Sequence, residues 1–179
     1  MLWLLDTRCG IVLGKDVSQD TVAKWLGESG FLVAPLAAPL PSNASWGLLV
    51  STPPPLQIKL RLLGLKNGDI VVGVGVNFSE KHIEEIKKLK SAERVRLSAK
   101  IIESIIDVCP YCRVALRESL LNPVAIVSEI LVTREALSRQ RLVDDAARLV
   151  NVFLIVNTIL WQEFPLVEVE ESKQSSIFM

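Results

Sequence analysis

The chain has 179 residues, the length of one ordinary domain, and half of them are hydrophobic, enough for a full core. Lys+Arg and Asp+Glu stand at 20 each, so the formal net charge is zero; phosphate binding needs a basic surplus, which argues against nucleic acid as the main partner. Zero net charge with a positive mean hydropathy predicts poor colloidal stability for a bare monomer and points to self-association.

The three cysteines, Cys9, Cys109 and Cys112, are an odd count. The N-terminal stretch "MLWLLDTRCGIVL" has neither a positive n-region nor a small-residue cleavage site. A secreted disulfide framework is therefore not expected, and a cytoplasmic protein is. The longest uncharged run, 149–162, contains Asn151, Asn157 and Thr158. It falls short of the roughly 18–20 residues that span a bilayer, so no membrane span is expected and a buried core or interface helix is.

In chain order, residues 1–17 show no clear period and read as an arm or an added strand. Ser18 is an N-cap for a helix whose Val22, Trp25 and Leu26 form one stripe and which Gly30 ends. "FLVAPLAAPLP" (31–41) reads as an irregular strand and loop that Pro35 and Pro39 keep out of a sheet centre. "WGLLVST" (46–52) is a strand, and Pro53, Pro54 and Pro55 make a stiff corner.

The clearest hairpin joins "LQIKLRLL" (56–63) to "IVVGVGVNF" (70–78). A two-residue Asn-Gly turn would set apolar positions against glycines, because a one-residue slip flips every side chain. A three-residue loop, Lys66-Asn67-Gly68, with Gly68 left-handed, places Leu62 opposite Val72, Leu60 opposite Val74 and Ile58 opposite Val76. Lys59 and Arg61 then share the outer face with Gly73 and Gly75, a candidate binding face.

Ser79 caps a helix with acids early and lysines late, which continues through "ERVRLSAKIIESIIDV". "RVALRESLL" (113–121) reads as a shorter helical piece, "VAIVSEILVT" (124–133) as one or two strands, and about Ser138 to Phe164 as the last helix. Residues 165–179 are a tail, leaving 18–164 as one domain. The expected fold is α+β, an antiparallel meander sheet with helices packed on it, in the order α-β-β-β-α-β(-β)-α.

"CPYC" (109–112) is the one motif with intrinsic chemistry. A cysteine at a helix N-terminus is stabilised as a thiolate, and a second cysteine one turn on can resolve a mixed disulfide. A redox fold of that type would, however, need a further hairpin strand and a closing helix after Pro165, where acidic and polar residues stand instead. Two small apolar residues at a helix kink, bridged or not, is the favoured reading; a thiol-disulfide oxidoreductase using Cys109 and Cys112 is the alternative. No metal is expected, since zinc wants four ligands and there is one Cys pair. His82, the single histidine, has no second base at a telling spacing and is expected at the surface. "GVGVNF" (73–78) lacks the third glycine and the Lys-Ser/Thr of a phosphate loop, so no nucleotide or other cofactor is expected. Asp144 and Asp145, beside Arg141 and Arg148, read as a solvated, salt-bridged surface.

The apolar last helix calls for burial on all sides, more than one sheet face offers. Val152, Phe153, Ile155, Val156, Ile159, Leu160 and Trp161 are accordingly expected at a partner or dimer interface.

Several stretches together carry a resemblance: the opening helix with Trp25, Trp46 leading into a strand, "VSTPPP" (50–55), "IKLRLLGLKNGDIVVGVGVNFS" (58–79), "EKH" (80–82) and the apolar closing helix. Their order, over roughly 18–164, resembles the type III secretion chaperone-like fold and, within it, a small archaeal family of uncharacterised proteins. The resemblance implies homodimers that hold partly unfolded client segments in hydrophobic grooves without nucleotide, and no catalytic residues. The expectation is thus a non-enzymatic, dimeric protein-interaction module.

Overall fold

The computed structural model describes residues 17–165 and 167. The expected arm (1–17) and tail (165–179) lie outside them, apart from Val17, Pro165 and Val167.

The chain opens with α1 (Gln19–Glu28), where Ser18 Oγ accepts the Thr21 N–H at 3.2 Å as the expected cap. Gly30, at φ +92°, ends it, and the Phe31 N–H reaches back to the Leu26 carbonyl at 3.1 Å. Four strands follow: β1 (Leu32–Pro35), β2 (Ala44–Ser51), β3 (Lys59–Leu65) and β4 (Ile70–Asn77). Next come α2 (Glu80–Lys88) and α3 (Ser91–Val108), then β5 (Arg113–Glu118), β6 (Pro123–Val132), a short 3-10 turn and α4 (Arg139–Glu163). The six strands form one antiparallel sheet in the order β1-β2-β3-β4-β6-β5. The α+β class and the antiparallel sheet are as expected; β1 to β4 form a meander, while β6 follows β4 and β5 takes the outer edge.

The hairpin register is the one expected of the three-residue loop. Leu62 pairs with Val72 and Leu60 with Val74, and Gly68 has φ +90°. The Leu65 N–H donates to the Asp69 carbonyl at 2.8 Å, closing the loop, and Asn67 Nδ2 donates to Asp69 Oδ2. Ile58 stands one residue before β3 and donates its N–H to Thr52 Oγ1 at 2.9 Å instead of entering the ladder opposite Val76.

Three expectations are corrected. The helix expected to continue from Ser79 through "ERVRLSAKIIESIIDV" is broken where Leu89 and Lys90 turn extended, giving α2 and α3. The irregular strand expected within 31–41 is the edge strand β1 ("LVAP"), so four strands, not the three of the expected order, precede the second helix. "RVALRE" is strand β5, not helix. Its Val114 and Leu116 lie opposite Ser128 and Ile126, and the free edge of β6 supplies the ladder that overrides the helix propensity of Arg, Ala and Leu.

All helices bury their apolar stripes against one side of the sheet. Leu48, Val50, Leu60, Leu62, Val72, Val74, Val76, Ile126 and Ile130 form a single core with Val22 and Leu26 of α1, Ile86 of α2, Ile101 and Ile105 of α3, and Leu142, Leu149, Val152 and Val156 of α4. α4 lies along β3, β4 and β6, flanked by α1 and α3. The alternate side chains of each strand point to the opposite face, away from this core.

Candidate functional site

Cys109 and Cys112 are joined by a disulfide, with Cα atoms 5.4 Å apart. Cys109 is the C-cap of α3, its N–H bonded to the Ile105 carbonyl at 2.8 Å, and the chain leaves the motif into β5. The dithiol therefore stands at the carboxyl end of a helix, where the partial charge is negative and opposes a thiolate. The N-terminal placement that redox chemistry would use does not occur here.

The bridge closes a loop around Tyr111, whose hydroxyl donates to Asp145 Oδ1 at 3.0 Å. Arg141 Nε donates to Asp145 Oδ2 at 2.7 Å, one helical turn back on α4. The guanidinium carbons of Arg141 and Arg148 lie 4.8 and 5.5 Å from the Tyr111 ring centroid, both in cation–π range. Asp145, expected on a solvated surface, is 0% exposed. The loop from the end of α3 folds over it, a contact that helical spacing alone does not reveal. Asp144, its neighbour, is exposed and accepts from Gln140 Nε2 at 2.8 Å. Partial burial, then the bond to Asp145, raises the Tyr111 phenol above its ordinary value of 10.0, against the opposing pull of Arg148 and Arg141. The bond to Asp145 likewise raises Arg141.

The second feature is the sheet face that no helix among the described residues covers. Leu49, Leu63, Val71, Val127 and Leu131 are half-buried there and join no part of the core. One row runs Leu49–Arg61–Gly73–Glu129–Arg113 across five strands. A Cβ built on Gly73 would lie 3.3 Å from Glu129 Cγ, so the Glu129 side chain leans over the glycine. Arg61 Nε is buried and has no hydrogen-bond partner among the described residues. Lys59 is paired with Ser51, and Gly75 with Val127, in the next row of the same face. The four residues expected to share an outer face do share it. At one end, Leu36 and Leu40 fold over Gly47.

The expected interface on α4 separates into two sets. Val152, Val156, Ile159 and Leu160 are spent on the chain's own core, and Phe153 and Ile155 pack partly against it. Trp161, 48% exposed, and Leu154, 38% exposed, stand on the far side with Asn151 and Thr158. The helix is thus one-sided: the sheet, α1 and α3 cover its inner side, and its outer side is less buried than its uniform apolarity implied.

His82, expected at the surface, is buried at the start of α2. Ser79 Oγ accepts the His82 backbone N–H at 3.3 Å and lies 2.8 Å from Nδ1, while Nε2 is buried and has no partner among the described residues. Burial lowers the pKa of this imidazole from 6.5. Its ring centroid lies 6.1 Å from that of Phe164, the C-cap of α4, a long-range contact invisible in the local pattern. Among the described residues, no group of three or more His, Cys, Asp or Glu side chains is placed to hold a metal ion. Nor is any helix among them long and apolar enough to cross a membrane.

The chain is thus an α+β protein whose six-stranded antiparallel sheet carries its helices on one side and, among the described residues, bears no element on the other. The chain belongs to the family described as "Uncharacterized conserved protein (DUF2299)", which matches residues 18–160. Among solved structures it is similar to an uncharacterized protein from the archaeon Methanothermobacter thermautotrophicus, at 19% identity and a TM-score of 0.70, covering 82% of this chain and 98% of that one. At that identity the likeness is one of fold. No curated protein matches the chain.

Proposed function

We propose that the protein is a non-enzymatic, chaperone-like protein-interaction module that works as a homodimer joined through its open sheet face. The observation that carries this reading is the row Arg61–Gly73–Glu129 amid Leu49, Leu63, Val71 and Leu131. Gly73 stands midway between opposite charges, so a two-fold axis through it brings each Arg61 onto the Glu129 of a second copy. Such an isologous contact is self-complementary and closes at two subunits. The glycines let two backbones approach closely, and the buried Arg61 Nε, which has no hydrogen-bond partner among the described residues, gains an acceptor. Client segments bind by strand addition at β5, which pairs only with β6 among the described residues. The other edge, β1, is guarded by Pro35. Arg113 and Arg117 on β5 favour an extended segment that carries acids.

Light scattering after size-exclusion chromatography tests the dimer. Wild type is expected to be dimeric; Arg61→Glu and Glu129→Arg, each alone, shift it to monomer; the double exchange restores the dimer. A monomeric wild type, or two singles that stay dimeric, overturns the open-face assembly. Suppression of aggregation of a heat-denatured test protein without nucleotide checks the client reading separately.

A further inference from the structure

Tyr111 is the chain's one tyrosine, and it lies inside the four-residue loop that the disulfide closes. Its hydroxyl satisfies one oxygen of a carboxylate with no exposed surface, on an element distant in sequence. Within the loop, one backbone bond, from the Cys112 N–H to the Cys109 carbonyl at 3.1 Å, adds to the covalent link. Cys109 is buried in the core, whereas Cys112 is half-buried at its margin. We propose that the Cys109–Cys112 bridge is a redox-responsive latch that holds Tyr111 on Asp145, and that reduction of the bridge by a dithiol loosens the first turns of α4.

The step balances as thiol–disulfide exchange. A thiolate of the dithiol attacks Cys112 Sγ, the more accessible sulfur, and the bond to Cys109 breaks. Cys109 leaves as a thiolate and takes a proton. The second thiol of the reductant then displaces Cys112, which is also protonated. The protein pair gains two electrons and two protons, and the reductant ends as its own disulfide.

Opening the bridge returns conformational freedom to residues 109–112, and the loop no longer holds the phenol at bonding distance. Asp145 keeps Arg141 but loses its neutral donor, and a buried acceptor left short of a partner is costly. The loss falls on Arg139–Leu149 of α4, where Arg141 and Arg148 also give up their ring contact. The latch does not depend on the dimer reading, since none of its residues lies on the open sheet face.

The single tyrosine supplies a clean readout: NMR of the isotope-labelled Tyr111 ring across a pH titration, with amide exchange of α4, before and after treatment with dithiothreitol. Reduction is expected to expose two further thiols, to bring the tyrosine midpoint down toward 10.0, and to speed exchange in Arg141–Leu149 roughly tenfold. In Tyr111→Phe the exchange is already fast, and reduction changes it little. Cys109→Ser/Cys112→Ser reproduces the reduced state without reductant; should that variant fail to fold, the wild-type titration stands by itself. The latch is overturned if the isolated protein shows no bridge by thiol titration. It is equally overturned if the bridge opens while the Tyr111 titration and α4 exchange stay unchanged.

Discussion

The Trp46 indole lies on Gly64 of the neighbouring strand, filling the space a side chain would take there. The pairing of β2 with β3 shifts register between Ala44 and Trp46, and the extra residue aims the indole across the ladder. Ser45 Oγ, within the bulge, donates to the Gly64 carbonyl at 3.0 Å. A Cβ on Gly64 would fall inside the ring. Gly64→Ala is therefore expected to destabilise the fold by about 1–3 kcal/mol, as overpacking does. Gly73→Ala, whose tightest contact is with the movable Glu129 side chain and which meets the Ser128 carbonyl at ordinary contact distance, is expected to cost the fold of the single chain under about 1 kcal/mol. Denaturant midpoints of the two variants check this pair.

His82 predicts an acid-sensitive fold. Its folded pKa lies below 6.5, so the native state holds the neutral ring and the unfolded state binds the extra proton. Stability is then fully present above the unfolded value and declines as pH falls below 6.5 toward the folded pKa. Because Ser79 Oγ accepts a backbone N–H, its own hydrogen is free for Nδ1, which favours the neutral tautomer protonated on Nε2. His82→Gln should flatten the stability–pH curve between neutrality and mild acid. Chemical unfolding at a series of pH values measures it, and an equally steep curve in the variant would falsify the assignment.

Two bonds of the same spacing on α4 differ in burial. Arg141 to Asp145 ends on a carboxylate with no exposure; Gln140 to Asp144 ends in solvent. Arg141→Ala is expected to lower stability by about 1–2 kcal/mol, moderated because the arginine itself is partly solvated. Gln140→Ala should stay within about 0.5 kcal/mol of wild type. Thermal melts would reverse this account if the two losses were equal.

The two sides of α4 make a further contrast. Leu149→Ala empties a fully buried site and is expected to cost about 2–5 kcal/mol. Leu154→Ala, on the exposed side, should cost less than about 1 kcal/mol. Comparable losses in urea denaturation would mean that the outer side of this helix is covered in solution.

Much of the local geometry of this protein is written in its amino-acid order. Caps at Ser18, Ser79 and Ser138, the stop at Gly30 and the Lys66-Asn67-Gly68 loop depend on side chains a few residues apart, so their chemistry is readable in one dimension. The alternation in β3 and β4 also identified the outer face with Lys59, Arg61, Gly73 and Gly75, because a period of two assigns faces once the register is known. The fates of β5, His82, Asp145 and α4 depended on long-range packing. "RVALRE" became a strand because β6 offered it a ladder. His82 and Asp145 were buried by Phe164 and Tyr111, each 34 or more residues away in sequence. Uniform apolarity of 149–162 could not say which side of α4 the sheet would cover, since burial is settled by packing partners and not by composition.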